Sequence, residues 1–277
     1  MSVARRGRRR MRKALIIKVP ALALAVLSLA FAPSPAAWIG AGLAIAAGVV
    51  GLAIVVFDVN SSFWAPTLWR APVPTNLVAL TFDDGPDPEF TPRVLQILAD
   101  KRVAAAFFVV GQRADAHPEL LAEMDLAGHL VASHGHTHDP FFHFKLWKGN
   151  RRELDACNGA IARAIGKEPL LFRAPQGFKN PALGDVLYET GMTAIGWQVR
   201  GLDAVDENAE RIVRRIVKGV RAGGIVAMHD GRGLGGTRSR QPTLEALPRV
   251  IDGIRASGLE FARVDMLLGV QGYRSAK

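Results

Sequence analysis

Short apolar runs alternate with longer amphipathic stretches from residue 75 to the end of the chain. Such runs predict strands that are buried on both faces, and apolar positions spaced three or four apart between them predict helices. The predicted strands are 77–82, 104–110, 130–134, 170–173, 193–199, 225–229 and 261–264. This alternation is typical of β/α units around a parallel sheet, and one uninterrupted run of about 200 residues favours a single barrel-like α/β domain.

Helix boundaries carry their own signals within this pattern. Thr91 and Asn180 each precede a proline, which is typical of a helix start, and residues 207–221 have a helical pattern. Gly191 and Gly258 follow helical patterns and predict helix ends. The predicted helices therefore connect the predicted strands in the order that a parallel sheet requires.

The first 57 residues have a different pattern. Residues 14–32 are apolar except for Lys18 and Ser28, and residues 36–57 carry no charge. Each stretch is close to the length that crosses a bilayer, although Lys18 also leaves a signal-peptide core or a surface-lying helix open for the first. We predict a basic segment (1–13), a membrane region with one or two spans (14–57), a linker (58–74) and a folded domain (75–277).

The charge of the chain lies mostly in its first residues. The formal net charge is +10, yet eight basic residues precede any acidic one, and from Asp58 onward 27 basic side chains face 25 acidic ones. This distribution argues against a nucleic-acid groove and predicts a chain anchored in a membrane, with a bacterial inner membrane as the expected location. The basic segment (1–13) is expected in the cytoplasm. With two spans the folded domain also lies in the cytoplasm, and with one span it lies outside.

Polar residues cluster at the carboxyl end of nearly every predicted strand. The clusters are Asp83–Asp84, residues 134–138, Arg173 with Pro175, residues 197–203, and His229–Asp230. In parallel barrels the loops at this rim build the active site. The common placement of the clusters predicts that they meet in one site.

Three histidines lie among the five residues 134–138. His134 and His138 form a pair spaced four apart, and His134 and His136 form a pair spaced two apart, so either pair is a candidate for binding a metal. A carboxylate would complete an open catalytic site. Of the adjacent Asp83 and Asp84, one can bind the metal and the other can accept a proton, provided that the strand ends there and both side chains reach the same site.

Five stretches resemble, in order and spacing, the motifs of the polysaccharide deacetylases with a NodB-type domain, also known as carbohydrate esterase family 4. They are TFDDGPD (81–87), HGHTH (134–138), RAPQG (173–177), WQVRGLDA (197–204) and IVAMHD (225–230). The resemblance covers roughly residues 75–270. It implies a distorted (β/α)7 TIM-like barrel, here preceded by an N-terminal membrane segment, and metal-dependent removal of N-acyl groups, usually acetyl, from amino sugars.

The resemblance also implies roles by position. Asp83 corresponds to the general base, Arg173 to the residue that orients it, and His229 to the general acid. The metal ligands correspond to Asp84, His134 and His138. The implied cofactor is a divalent metal, with zinc as the first expectation and cobalt, manganese or nickel as alternatives. The expected substrate-binding residues are Gln176, Gly177, Trp197, Ala204 and Ala227, with a backbone N–H near Gln176 as a second oxyanion donor.

This chain departs from the family pattern at several positions. Gly135 stands where the family usually has Ser or Thr, and Gln176 where it usually has an aromatic residue. Ala204 and Ala227 replace a Trp and a Leu that normally wall the acetyl pocket. Either another side chain fills that space or the natural acyl group is larger than acetyl, and we favour the first.

The partner of the expected general acid also differs. The acid that usually tunes the catalytic histidine aligns with Arg200, so His229 requires another carboxylate. Asp203 and Asp230 are both available, and we include Asp203 among the catalytic candidates.

Three functions are consistent with the sequence. The first is a membrane-anchored N-deacylase that acts on an amino-sugar glycan or a glycolipid. The second is a barrel amidohydrolase that uses the His134–His136 pair, and the third is a barrel that binds glycan without cleaving it.

Overall fold

The computed structural model of the chain describes residues 35–233 and 238–274, and it describes their side chains except at positions 35–38, 41 and 52–57. The predicted basic segment and the predicted span 14–32 lie outside these residues. Helix α1 covers Pro35–Phe57. A search of the described residues for a helix of sufficient length and apolar character to cross a membrane finds none.

A curled sheet of parallel strands, surrounded by helices, forms the body of the protein. The strands are β1 (Thr67–Leu68), β2 (Leu77–Asp83), β3 (Ala106–Val109), β4 (Leu130–Ser133), β5 (Leu171–Phe172), β6 (Thr193–Ile195), β7 (Val199–Arg200), β8 (Ile225–His229) and β9 (Glu260–Phe261). The helices after α1 are α2 (Thr91–Lys101), α3 (Gly111–Ala116), α4 (Pro118–Leu126), α5 (Trp147–Ile165), α6 (Pro181–Thr190), α7 (Ala209–Gly219), α8 (Gln241–Ala256) and α9 (Val264–Leu268). This α/β architecture is consistent with the (β/α)7 barrel that the family resemblance implies.

The strand order explains how the sheet curls. Neighbouring strands run β1-β6-β5-β4-β3-β2-β8-β7, and β9 pairs with the start of β2. The run 193–199, predicted as one strand, is divided in two: β6 pairs with β5 and β1, whereas β7 pairs with β8. A single stretch of chain thus connects both ends of the sheet, which brings the carboxyl ends of distant strands together.

Side-chain alternation along β2 determines which residues face the interior of the curled sheet. Val78, Leu80 and Phe82 belong to the core between the sheet and the helices. Ala79 packs instead with residues of the sheet interior, where Thr81 contacts Arg173. Because successive residues of a strand point to opposite faces, Asp83 extends the interior row and reaches its carboxyl end.

Several predicted boundaries are reproduced, and two regions besides 193–199 differ. Asn180 caps α6 by accepting a hydrogen bond from the Leu183 N–H at 2.7 Å, and Gly191 ends that helix in the left-handed conformation. The predicted strand 261–264 is only partly extended, because α9 begins at Val264. The predicted linker 58–74 contains β1, whose pairing with β6 the short sequence around Thr67 does not reveal.

Candidate active site

A cavity of about 850 Å³ opens at the carboxyl ends of the strands. It is lined by Val59, Asp83, Asp84, His134, His138, Ala174, Gln176, Phe178, Trp197, Arg200, Leu202, Ala204, Val205, Ala227 and His229. The polar clusters that the sequence places after separate strands therefore meet in one concave site, as that pattern predicts.

Asp83 forms a buried ion pair with Arg173. The Arg173 side chain is fully buried, and its Nη1 donates to Asp83 Oδ1 at 2.6 Å and to Thr81 Oγ1 at 2.9 Å. Its other nitrogens donate to the carbonyl oxygens of Ile195 and Gly196 at 3.3 and 3.1 Å. These bonds fix the guanidinium, so that one carboxylate oxygen of Asp83 is held in place at the cavity wall.

Asp84 turns away from the strand and faces two histidines. Its φ of 73° is left-handed, which interrupts the strand alternation and lets both neighbouring aspartates reach the cavity. Asp84 Oδ1 lies 3.4 Å from His134 Nε2 and 3.0 Å from His138 Nε2. Burial alone would raise the pKa of Asp84, but the adjoining side chains of His134 and His138 hold it well below its usual range.

The same three residues form a group that could hold a metal ion. The donor atoms of Asp84, His134 and His138 all lie within 4.8 Å of one another. His134 Nδ1 lies 2.8 Å from the Arg173 carbonyl oxygen. Because a carbonyl only accepts, Nδ1 carries the proton and the lone pair of Nε2 faces the group. A buried carboxylate with two imidazoles is a suitable ligand set for zinc or a similar divalent cation.

His136 is directed away from this group. Its ring packs against Gly111, where a Cβ atom would lie 2.4 Å from His136 Nδ1. The backbone N–H groups of His136 and Thr137 both donate to Glu153 Oε2, at 2.8 and 2.9 Å. Glu153 of α5 thus anchors the loop 134–138, in which His138, and not His136, faces Asp84.

His229 is paired with Asp203. Its Nδ1 lies 3.0 Å from Asp203 Oδ1, and its backbone N–H donates to Asp203 Oδ2 at 2.8 Å. Burial alone would lower the pKa of His229, but the charge and hydrogen bond of Asp203 outweigh burial and raise it to about 9. Of the two available carboxylates the structure selects Asp203, because Asp230 instead accepts a 2.6 Å hydrogen bond from Thr91.

The expected substrate-binding residues fall into two groups. Gln176, Trp197, Ala204 and Ala227 line the cavity. Gly177 lies behind the wall, with φ +79°, and a Cβ atom there would lie 2.5 Å from Val59 Cγ1 and 2.7 Å from Trp197 Cη2. A glycine is therefore required at position 177, both for close packing and for the left-handed backbone.

Sequence reasoning missed several residues that build this site. Glu153 lies on α5, Thr243 of α8 donates to Asp203 Oδ2 at 2.9 Å, and Val59 enters the cavity from the predicted linker. For Glu153 the available sequence signal is a glutamate on the apolar face of an amphipathic helix, because glutamate is seldom buried without a partner. The contributions of Thr243 and Val59 depend on long-range contacts.

Comparison with known proteins gives the family. The polysaccharide deacetylase family model matches residues 70–195. A peptidoglycan-N-acetylglucosamine deacetylase of Bacillus cereus is 33% identical over 207 residues, which are 72% of this chain and 92% of that protein. The chain belongs to the polysaccharide deacetylase family. It is also 34% identical to a chitooligosaccharide deacetylase of Bradyrhizobium sp., over 67% of this chain and 88% of that one.

The fold comparison agrees with this assignment. A crystal structure of a peptidoglycan N-acetylglucosamine deacetylase superposes with a TM-score of 0.70 at 25% identity, covering 75% of this chain and 95% of that chain. As a member of carbohydrate esterase family 4, this deacetylase is a hydrolase that acts on N-acetyl amide bonds. Deacetylases of the family are metal-dependent, and Asp84, His134 and His138 could hold the metal.

We expect Asp203→Asn to change how the deacetylase responds to pH. In the expected role of general acid His229 works only while protonated, so wild-type kcat/KM should fall as the pH rises through about 9, the pKa of His229. Without the Asp203 charge that pKa drops, and the falling limb should move at least about one unit lower, as expected for the loss of a close charge. A pH profile of kcat/KM for both proteins measures this shift. An unmoved limb would show that His229 is not the group that titrates.

Proposed function

We propose that the protein removes N-acyl groups, chiefly acetyl, from amino sugars by metal-dependent hydrolysis. The observation that carries this proposal is the different surroundings of two adjacent carboxylates in one cavity. Asp83 is held by Arg173, whereas Asp84 faces His134 and His138. Two neighbouring groups of the same type are thereby separated into a proton acceptor and a metal ligand.

The ligand group favours zinc, with cobalt, manganese or nickel as alternatives. When bound by Asp84, His134 and His138, such an ion supplies a Lewis acid that polarises a carbonyl and lowers the pKa of water. The protein's own residues provide the remaining requirements, namely a proton acceptor, a proton donor and a shaped cavity.

The proposed proton transfers run from one wall of the cavity to the other. Asp83 accepts the proton of the attacking water while Arg173 keeps the carboxylate in place. His229, protonated at neutral pH beside Asp203, donates a proton to the departing nitrogen. Without that proton the nitrogen would have to depart as an unstable anion, which is a poor leaving group. Gln176, at the cavity edge with a left-handed φ of 58°, offers its backbone N–H to the developing oxyanion.

The proposed substrates are N-acylated amino sugars in a glycan or a glycolipid. The names of the relatives support this class, since they are described as deacetylases of peptidoglycan N-acetylglucosamine and of chitooligosaccharides. We further propose that the chain is associated with a bacterial inner membrane. The apolar pattern of residues 14–57 supports this location, as do the exposed side chains of Ile39, Leu43 and Val49 on α1.

The proposal is tested with the full chain, purified in detergent and supplied with one equivalent of Zn²⁺ or Co²⁺. We expect acetate release from N-acetyl amino sugars, dependent on the metal and abolished in Asp84→Asn. Metal analysis of the same samples should show a loss of bound metal in Asp84→Asn and retention in His136→Gln. Binding of metal without release of acetate from any amino sugar would favour the alternative of a silent glycan-binding barrel.

We expect the acyl group to be acetyl, with large side chains near Ala204 and Ala227 narrowing the space that a Trp and a Leu would otherwise fill. Phe178 and Trp197 line the cavity, whereas Phe172 is buried in the core. The measurement compares release of formyl, acetyl and butyryl from one amino-sugar scaffold. Wild type should prefer acetyl over butyryl, and Ala204→Trp should slow all three because the added ring overfills the wall. If wild type prefers butyryl and Ala204→Trp reverses that order, the enzyme is a longer-chain deacylase.

A further inference from the structure

The segment that follows helix α1 is built into the candidate active site. Val59, two residues beyond the end of α1, lines the cavity. Asn60 is held by the backbone of Trp197: its Nδ2 donates to the Trp197 carbonyl oxygen at 2.9 Å, and its Oδ1 accepts from the Trp197 N–H at 3.3 Å. The buried Lys179 donates to the Val59 carbonyl oxygen at 2.5 Å. These contacts fix the end of an apolar helix at the cavity wall.

An exposed apolar ridge extends from the same side of the cavity. We define it as Phe141, Phe144 and Leu146, whose exposed fractions are 67%, 70% and 80%. The rings are linked to the cavity through His143, which lies 4.2 Å from the Phe144 ring and 5.5 Å from the ring of Phe178, centroid to centroid. Large apolar side chains exposed together beside a site mark a surface that contacts something apolar.

The chemistry of the ridge favours a lipid surface over a sugar. Phenylalanine and leucine have no polar group with which to bond sugar hydroxyls, and they insert readily at a bilayer interface. Exposed Lys148 and Arg152 follow the ridge at the start of α5, and basic side chains of this kind accompany apolar ones at anionic membranes.

An exposed positive charge at the cavity completes the arrangement. Arg200, at the end of β7, lines the cavity and is exposed to solvent. Among residues 35–233 and 238–274 the backbone of Arg200 pairs with β8, but no hydrogen bond or ion pair joins its side chain to another residue. A neutral glycan offers such a guanidinium only uncharged hydroxyl and carbonyl acceptors, whereas a phosphate ester matches both its charge and its fork of donors.

We propose that the natural substrate is an N-acylated amino sugar linked through phosphate to a membrane lipid. The lipid leaves the cavity over the apolar ridge, beside the end of α1, and Arg200 binds the linking phosphate. This assignment rests on the proposed deacylation and narrows its substrate to one class.

The test compares three probes on the full chain in detergent micelles with Zn²⁺. They are polyprenyl-phosphate-linked N-acetylglucosamine, N-acetylglucosamine 1-phosphate and N-acetylchitotetraose. For wild type we expect kcat/KM to be at least about tenfold higher for the lipid-linked probe than for the chitotetraose. Arg200→Gln should lower kcat/KM for both phosphate-bearing probes about tenfold relative to the chitotetraose. The double variant Phe141→Ser, Phe144→Ser should reduce the preference for the lipid-linked probe alone.

Matched controls come from exposed residues outside the cavity and the ridge. Leu126→Ser removes a side chain that is 88% exposed at the end of α4, and Arg214→Gln removes a surface charge of α7. Neither control variant should change the ratios of kcat/KM among the three probes. The proposal is overturned if the kcat/KM of wild type for the chitotetraose equals its kcat/KM for the lipid-linked probe. It is also overturned if the ridge variant loses activity on the lipid-linked probe and on the chitotetraose equally, which is the result expected if the ridge stacks against sugar rings. Failure of wild type to release acetate from any probe would instead reject the proposed deacylation.

Discussion

Asp83→Asn is expected to abolish most activity while leaving metal binding intact. The amide is nearly the same size as the carboxylate but cannot accept a proton from water, so kcat should fall by about 10²- to 10⁴-fold, the range for loss of a general base. The proposed metal ligands Asp84, His134 and His138 are unchanged, and therefore the metal content of the purified variant should match wild type.

Asp84→Asn is the matched comparison, because it makes the same change one residue later. This variant should lose bound metal together with activity, since a neutral amide is a weaker ligand for a divalent cation than a carboxylate. Metal analysis and kcat are measured on both proteins in parallel. Equal loss of metal in the two variants would contradict the separation of roles that the contacts with Arg173 and with the histidines support.

Arg173→Met is expected to produce the largest loss of stability. The guanidinium is fully buried, and removing it leaves the Asp83 carboxylate in the interior without its counter-charge. Loss of one partner of a buried ion pair costs about 3–5 kcal/mol of the free energy of unfolding. It also leaves the carbonyl oxygens of Ile195 and Gly196 without this donor. Denaturant unfolding of the detergent-solubilised chain, followed by circular dichroism, measures the change.

A double variant tests whether the ion pair is the cause. In Arg173→Met with Asp83→Asn no buried charge remains unpaired, so the double variant should be more stable than the sum of the two single losses predicts. Arg173→Lys should fall between wild type and Arg173→Met, because one ammonium keeps the charge but cannot reach all four acceptors. Strict additivity of the single losses would show that Arg173 acts through its contacts with Phe108 and the backbone, independently of Asp83.

Much of the candidate site could be predicted from local sequence, and particular residues show why. Asp83, His134 and His229 each follow a short apolar run, and the rule that parallel strands end at one rim was sufficient to place them in a common site. The adjacency of Asp83 and Asp84 required the strand to end between them, which the left-handed φ of Asp84 provides. The choice between Asp203 and Asp230 was beyond the sequence, because both stand close to His229 along the motifs and only the packing of Thr91 and Thr243 separates them.

The sequence by itself determined the fold class, the family and the rim on which the candidate catalytic residues lie, because periodicity, strand ends and motif spacing are local properties of the chain. Only the tertiary structure decided which atoms meet. It orients His138 instead of His136 toward Asp84, through the bonds that Glu153 makes from α5. It also brings Val59 and Arg200 into the lining of one cavity. Val59 and Arg200 are more than one hundred positions apart in the chain, and the Glu153 bonds span 17 and 16 positions, so burial and hydrogen-bond geometry select these contacts after the sheet has curled.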